Sequence, residues 1–249
     1  ASALLCIIYV YRKIPLLQLK KGEFRIDRQL LQRTLQYGGI TALQQSCQPV
    51  GKLLIQGAIN SMGVDVIAAF NAVNRIDDYA FTPQQSISHG ITTFVAQNNG
   101  AKKKERIRKG FRDGLILEFC YWILICIVVF LLKKPLMMLF VTQGNPQIVE
   151  LGSHYLSLMA LFYLLPSFTN GIQGFFRGMG NMQITLVGTT VQTGLRVLFV
   201  YLLTPALGIS GAAYACAIGW TVMLLVEIPY YFWFMKRQST PEKKLALEQ

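Results

Sequence analysis

Six long, mostly apolar segments constrain the fold of this 249-residue chain more than any other feature. An α-helix rises 1.5 Å per residue, so about 20 apolar residues cross the hydrocarbon core of a bilayer. Only 14% of the residues are charged, whereas soluble domains average roughly 25%. The sequence therefore predicts an all-α integral membrane protein whose six transmembrane helices form a bundle.

The apolar segments are joined by short, turn-like connections that leave no room for a soluble domain. The predicted six-helix lobe covers residues 35–235, with spans at 35–61, 64–98, 115–132, 151–176, 184–204 and 209–235. Residues 1–11 are too few to cross a bilayer and are predicted to be the end of a preceding spanning helix. A cytoplasmic linker at 12–34 and a cytoplasmic tail at 236–249 complete the prediction. We expect the chain to be the C-terminal part of a longer protein.

The distribution of Lys and Arg predicts the orientation. Seven lie in the linker and seven more follow the second span, whereas only Lys133 and Lys134 lie in the loops of the opposite side. Cytoplasmic loops carry the excess of positive charge, so the basic side and the C-terminus are predicted to be cytoplasmic. The net charge of +12 is then explained by contact with membrane lipid. It does not require a nucleic acid partner, and we predict a multi-pass protein of the cytoplasmic membrane.

The second span carries several polar and charged residues at membrane depth: Asn71, Asn74, Arg75, Asp77 and Asp78. Such residues are costly in a membrane unless they face a polar cavity or a partner. One interpretation is a cavity-facing carboxylate that binds a cation or a proton. The other is an ion pair between Arg75 and one of the two acids. The sequence leaves both open.

The first span carries a polar stripe. Its members follow steps of four, three, four and four residues, which keeps them on one helix face: Thr41, Gln45, Gln48, Lys52 and Gln56. This spacing favours a wall of an aqueous cavity, and Lys52 is expected to pair with one of the two acids of the second span. The alternative is that the amides join neighbouring helices by hydrogen bonds.

Other polar residues give weaker signals. Glu118 and Glu227 lie in apolar spans, close enough to their ends to be solvated, and Arg196 is expected to be structural. No phosphate-binding, nucleophile or zinc motif occurs in the sequence. We therefore predict that the chain is not an enzyme, holds no metal and requires no cofactor.

Four sequence motifs resemble those of the multidrug and toxic compound extrusion (MATE) family. They are the stretches 68–77 (AAFNAVNRID), 92–102 (TTFVAQNNGAK), 170–181 (NGIQGFFRGMGN) and 208–213 (GISGAA). They occur in the family's order across nearly the whole chain. The resemblance is to the C-terminal lobe of a twelve-helix transporter that has two six-helix lobes.

The resemblance implies efflux of organic cations and drugs by antiport with Na⁺ or H⁺, with the missing N-terminal lobe as a partner. Family members often use carboxylates in the seventh and tenth helices, which correspond to spans 35–61 and 151–176. The first of these offers Gln and Lys and the second offers no acid. Asp77 and Asp78 are then the leading candidates for ion binding. A lipid-linked saccharide flippase of the same superfamily and a non-transporting gene fragment are the alternatives.

Overall fold

A computed structural model describes most of the chain. The described residues are 2–13, 27–141 and 145–245. Within these ranges the chain forms helices and turns and contains no strand. The middle of the predicted linker (14–26) and the end of the predicted tail (246–249) lie outside the described residues.

Eight helices follow one another in the described ranges. They are α1 (Ser2–Lys13), α2 (Arg28–Asn60), α3 (Val64–Gly100), α4 (Lys104–Phe140), α5 (Pro146–Phe162), α6 (Leu164–Gly178), α7 (Met182–Leu207) and α8 (Ile209–Leu245). The chain divides into two compact units, Ala1–Gly39 and Ile40–Gln249. The first unit contains α1 and the start of α2, and the second contains the rest of α2 and the six helices that follow.

Local sequence signals define several helix ends. Asn145 caps α5, because its side chain accepts a hydrogen bond from the backbone nitrogen of Gln147 at 3.0 Å and Pro146 occupies the first turn. Gly63 and Gly208 precede α3 and α8 with φ of 98° and 59°. These left-handed conformations favour glycine, so both tight connections depend on it.

The predicted span 151–176 is two helices rather than one. α5 and α6 meet at Tyr163 with a bend of 42°. Pro166 has no N–H, so it cannot donate the helical hydrogen bond to the carbonyl of Phe162. Instead, the carbonyl of Tyr163 accepts bonds from both the backbone nitrogen and the hydroxyl of Ser167, at 3.1 and 2.9 Å.

Polarity differs between the helices that contain the predicted spans. Judged by length and composition, Lys104–Phe140, Met182–Leu207 and Ile209–Gln238 could each cross a membrane, and the bent α5–α6 pair makes a fourth if it is one span. Among the described residues α2 and α3 do not meet this test, because their polar residues lower the hydropathy. α2 and α3, which carry the predicted site residues, are therefore less apolar than the helices that meet the test.

Glycine allows α3 and α6 to pack closely. A Cβ atom at Gly174 would lie 2.6 Å from the carbonyl oxygen of Ser88, and one at Gly178 would lie 2.7 Å from that of Thr92. The two glycines are one helical turn apart, the spacing that lets helix backbones approach in membranes. This contact fixes the depth of α6 against α3.

Two helices extend further than the predicted spans. α4 begins at Lys104 and α8 continues to Leu245, so five of the seven basic residues after α3 lie on α4, and only Lys102 and Lys103 lie in the turn before it. Lys104 Nζ donates to the carbonyl of Gln238 at 3.1 Å, which connects the start of α4 with the end of α8. Lys, Arg and Glu are good helix formers, so a helix can continue beyond the apolar segment that predicts it.

Candidate functional site

A polar cavity of about 400 Å³ lies in the second unit. Its walls come from α2, α3, α6, α7 and α8, with Met159 of α5 at one side. Carboxylate, amide, hydroxyl and cationic side chains face it, and Trp220 and Phe81 add aromatic surface. Enclosed polar groups in an otherwise apolar bundle mark a region built for water or a solute.

Six of the nine predicted site residues line this cavity. They are Gln45, Gln48, Lys52, Asn74, Asp77 and Asp78. The other three do not: Asn71 and Arg75 are exposed elsewhere on α3, and Gln56 donates a hydrogen bond of 2.8 Å to Asn60. The polar stripe of α2 thus leaves the cavity after Lys52.

The two neighbouring acids of α3 have different surroundings. Asp77 is buried and accepts a hydrogen bond from the hydroxyl of Tyr163, the residue at the α5–α6 break. Asp78 is exposed to the cavity and forms a salt bridge of 3.1 Å with Lys52. No ion pair joins Arg75 to either acid in the part of the chain that the structure describes. The sequence left two partners open for these acids, Arg75 and Lys52. In the structure the partner is Lys52, which pairs with Asp78.

A buried network joins four helices at the edge of the cavity. Gln44 of α2 donates to Gln173 of α6 at 3.2 Å and to Thr189 of α7 at 3.0 Å. Gln173 in turn donates to Thr189 at 3.2 Å and to the carboxyl of Glu227 on α8 at 3.3 Å. Because side chains from α2, α6, α7 and α8 satisfy one another, a change in one helix is felt by the others.

The expectation that Glu118 and Glu227 are solvated is wrong, because both are fully buried. α4 and α8 extend beyond the apolar segments, so both acids lie deeper than the segment ends indicated. Glu118 lies about 21 Å from the start of α4 at 1.5 Å per residue. The apolar residues on both sides of each acid were the sequence signal that could have predicted this burial.

Two arginines face the cavity that the sequence assigned elsewhere. Arg177, one residue beyond the predicted span 151–176, is on the last turn of α6 and donates to the hydroxyl of Ser88 at 2.9 Å. Arg196, expected to be structural, also lines the cavity. The Nε atom of each is buried without a hydrogen-bond partner. The depth of Arg177 on α6 depends on the break at Tyr163, which residue spacing in the sequence does not reveal.

The cavity can therefore bind ions of either sign. Asp77 and the neighbouring amide oxygens offer ligands for a small cation or a site for a proton. Lys52 is paired with Asp78, whereas the two guanidinium groups are planar donors suited to carboxylate or phosphate. No group of three or more His, Cys, Asp or Glu side chains that could hold a metal ion occurs among the described residues.

Long apolar helices around an internal polar cavity define a multi-pass integral membrane protein of the helical-bundle class. The chain belongs to the MatE family, whose model matches residues 41–202. This confirms the family resemblance found in the sequence motifs.

Known relatives and solved structures agree with this assignment. The chain is 28% identical over 207 residues to the probable multidrug resistance protein NorM of Thermotoga maritima, a match that covers 82% of this chain and 44% of that protein. It is 24% identical over 174 residues to the FAD transporter of Shewanella oneidensis, covering 68% and 38%. The crystal structure of MATE in the bent conformation superposes with a TM-score of 0.81 at 18% identity, covering 98% of this chain and 54% of that one. The chain spans about half the length of these proteins.

Proposed function

We propose that this chain is the C-terminal lobe of a secondary active efflux transporter in the cytoplasmic membrane, with a cytoplasmic C-terminus. The transporter exports organic cations or drugs by antiport with Na⁺ or H⁺, and a second lobe completes it. Family membership and the matches to multidrug resistance proteins support the proposal. The coupling ion and the substrate class are the parts that experiment must supply.

The observation that carries the proposal is the position of Asp77. Its carboxyl lies at the cavity wall but is buried, and Tyr163 at the α5–α6 break donates to it. Binding of an ion there changes the charge of the carboxyl group to which Tyr163 donates its hydrogen bond. Tyr163 lies between α5 and α6, where the angle between the two helices can change. Ion binding and a helix movement are thereby joined at one hydrogen bond, as antiport requires.

An anionic substrate is the second candidate, and the cationic side chains of the cavity favour it. Lys52, Arg177 and Arg196 line the cavity together with Asp77 and Asp78, so positive side chains outnumber negative ones. One relative is an FAD transporter, and FAD carries a diphosphate that guanidinium groups bind well. A lipid-linked saccharide, which also carries phosphate, belongs to the same substrate chemistry.

Transport by the complete protein in liposomes tests the proposal. Imposed Na⁺ and H⁺ gradients are applied separately, and the flux of a cationic dye such as ethidium is compared with that of FAD. Ethidium flux that requires one of the two gradients supports drug antiport. FAD flux with no ethidium flux favours the second candidate, and the absence of gradient-driven flux of either compound contradicts ion-coupled transport of both.

Asp65→Asn is the matched control for Asp77→Asn in this assay. Both acids lie on α3, but Asp65 is in its first turn, outside the cavity. We expect Asp77→Asn to abolish the response to the gradient and Asp65→Asn to preserve it. Equal loss in both variants would show a general defect of α3 rather than a role of Asp77.

A further inference from the structure

Glu118 is a buried carboxyl group outside the cavity. It is fully buried, and neither of its oxygen atoms has a hydrogen-bond partner. Its neighbours on α4, Ile116, Leu117 and Phe119, are exposed on the lipid side. Glu118 therefore faces the interior of the bundle. An isolated buried carboxylate is strongly disfavoured, so this group requires a compensating partner.

Contacts between α3 and α4 give the depth of this carboxyl. Tyr121 donates its hydroxyl hydrogen to the carbonyl of Ala80 at 2.9 Å, and Gly114 packs against Ile91. The carboxyl lies between these two contacts, about 4.5 Å along α4 from Tyr121 at 1.5 Å per residue. On the antiparallel helix α3, Gln84 lies about 6 Å from Ala80 in the same direction.

Contacts between α4 and the α5–α6 pair give the same depth. Trp122 Nε1 donates to the carbonyl of Ala160 at 3.1 Å, and the side chain of Leu115 lies against Gly171. The layer between these contacts contains Ser167. The buried carboxyl, Gln84 and Ser167 therefore occupy one layer of the bundle.

The hydrogen bonds in this layer leave more acceptors than donors unpaired. Ser167 donates its hydroxyl hydrogen to the carbonyl of Tyr163 at 2.9 Å, so its oxygen can only accept from Gln84. Gln84 Nε2 makes that bond at 2.7 Å, which fixes the orientation of the amide. Gln84 Oε1 is left buried without a partner, like both oxygens of Glu118. The second N–H of Gln84 can satisfy only one of these three oxygens, so a proton or a cation is needed for the others.

Ionisable groups on the packed helices do not supply that charge. Asp77 and Tyr163 bond each other, and Arg177 bonds Ser88 one turn beyond Gln84. Tyr121, on α4 itself, bonds Ala80, and the hydroxyl of Tyr155 on α5 has no partner. Other ionisable side chains of α3 and α5 are exposed: Arg75, Asp78, His89, Glu150 and His154. No ion pair to Glu118 occurs among the described residues.

We propose that Glu118 carries a proton and donates it to Gln84 Oε1, so that α3, α4 and α6 enclose a proton-binding site outside the cavity. One proton neutralises the carboxyl and satisfies the amide oxygen together. A bare metal ion would find only three free oxygens here, too few for a closed coordination shell.

The proton site is connected to the α5–α6 break. Gln84 bonds Ser167, and Ser167 bonds the carbonyl of Tyr163, where the helix bends by 42°. A change of this angle moves Ser167 and turns the amide of Gln84 away from Glu118. The hydrogen bond that the protonated carboxyl donates therefore depends on the bend between α5 and α6.

Infrared spectroscopy of the complete protein at neutral pH tests the site without any transport measurement. The difference spectrum between wild type and Glu118→Gln is expected to contain the carbonyl band of a protonated carboxylic acid. Glu105→Gln, an exposed acid on the first turn of the same helix, is the matched control and should produce carboxylate bands instead. Carboxylate bands for Glu118→Gln would overturn the proposal.

A second pair of variants tests the acceptor and remains informative if Glu118→Gln fails to accumulate. Gln84→Leu removes the proposed acceptor, so the carboxylic acid band should shift to the position of a weaker hydrogen bond. Gln85→Leu changes the adjacent residue, which is exposed to the cavity, and should leave the band in place. An unshifted band in Gln84→Leu, or equal shifts in both variants, would overturn the pairing of Glu118 with Gln84.

Discussion

Carboxyl groups on the cavity wall and carboxyl groups in the helix interior have contrasting surroundings. On the wall, Asp78 pairs with Lys52, and their side chains remain 56% and 52% exposed. In the interior, Glu227 has one bonded oxygen and Glu118 has none, and both are fully buried. Many polar residues along one helix thus accompany a shared aqueous surface, whereas a lone acid on an apolar helix is buried among the neighbouring helices.

Asp77 combines features of both regions. It lines the cavity, as Asp78 does, but its side chain is buried and bonded to Tyr163. Changes to the interior contacts should therefore have larger effects than changes to the exposed pair. Two pairs of variants and one single variant test this order.

Loss of the Tyr163 hydroxyl should have the largest effect. A hydrogen bond to a charged group contributes about 1.5–3 kcal/mol, so Tyr163→Phe should lower the midpoint of thermal unfolding of the complete protein correspondingly. Tyr155→Phe is the matched control, because this equally buried tyrosine has a hydroxyl without a partner. It should be neutral or stabilising. Equal losses in both variants would show that packing, and not the bond to Asp77, is responsible.

Added volume between α3 and α6 should have a slightly smaller effect. In Gly174→Ala the new Cβ would lie 2.6 Å from the backbone oxygen of Ser88, so the helices must separate. Overpacking of this kind costs about 1–3 kcal/mol, which thermal unfolding measures. Gly194→Ala, on α7 with no atom within 4 Å, should be neutral or stabilising by up to about 1 kcal/mol. A neutral Gly174→Ala would contradict the close packing.

Removal of the exposed ion pair should have the smallest effect. Exposed salt bridges contribute about 0–1 kcal/mol and weaken with salt, so Lys52→Gln should change the unfolding midpoint little. Any difference should shrink further as ionic strength rises. A loss as large as that of Tyr163→Phe would show that the pair behaves as a buried one.

The sequence predicted the helical class and much of the cavity lining on α2 and α3. Steps of three and four residues placed Gln45, Gln48 and Lys52 together, since they depend only on the helical repeat. Gln44, adjacent to that stripe, was missed because it joins a buried network rather than the stripe. Asn71 and Arg75 were included in the site because charge and spacing do not reveal which part of a helix face another helix covers.

Depth on the later helices could not be predicted in the same way. The break at Tyr163 sets the direction of α6 relative to α5, and this direction brings Arg177 to the cavity. The burial of Glu118 and Glu227 follows from helices that continue beyond their apolar segments. These features depend on packing between distant parts of the chain, to which a hydropathy pattern is insensitive.

Comparison of Asp77→Asn with Asp78→Asn tests the central claim most directly. The complete protein is reconstituted, and gradient-driven flux of its substrate is measured for both variants at equal amounts of inserted protein. We predict that Asp77→Asn lowers the flux by about tenfold or more, the equivalent of losing one charged interaction, and that Asp78→Asn retains most of it. Preserved coupling in Asp77→Asn, or a larger loss in Asp78→Asn, would contradict the account.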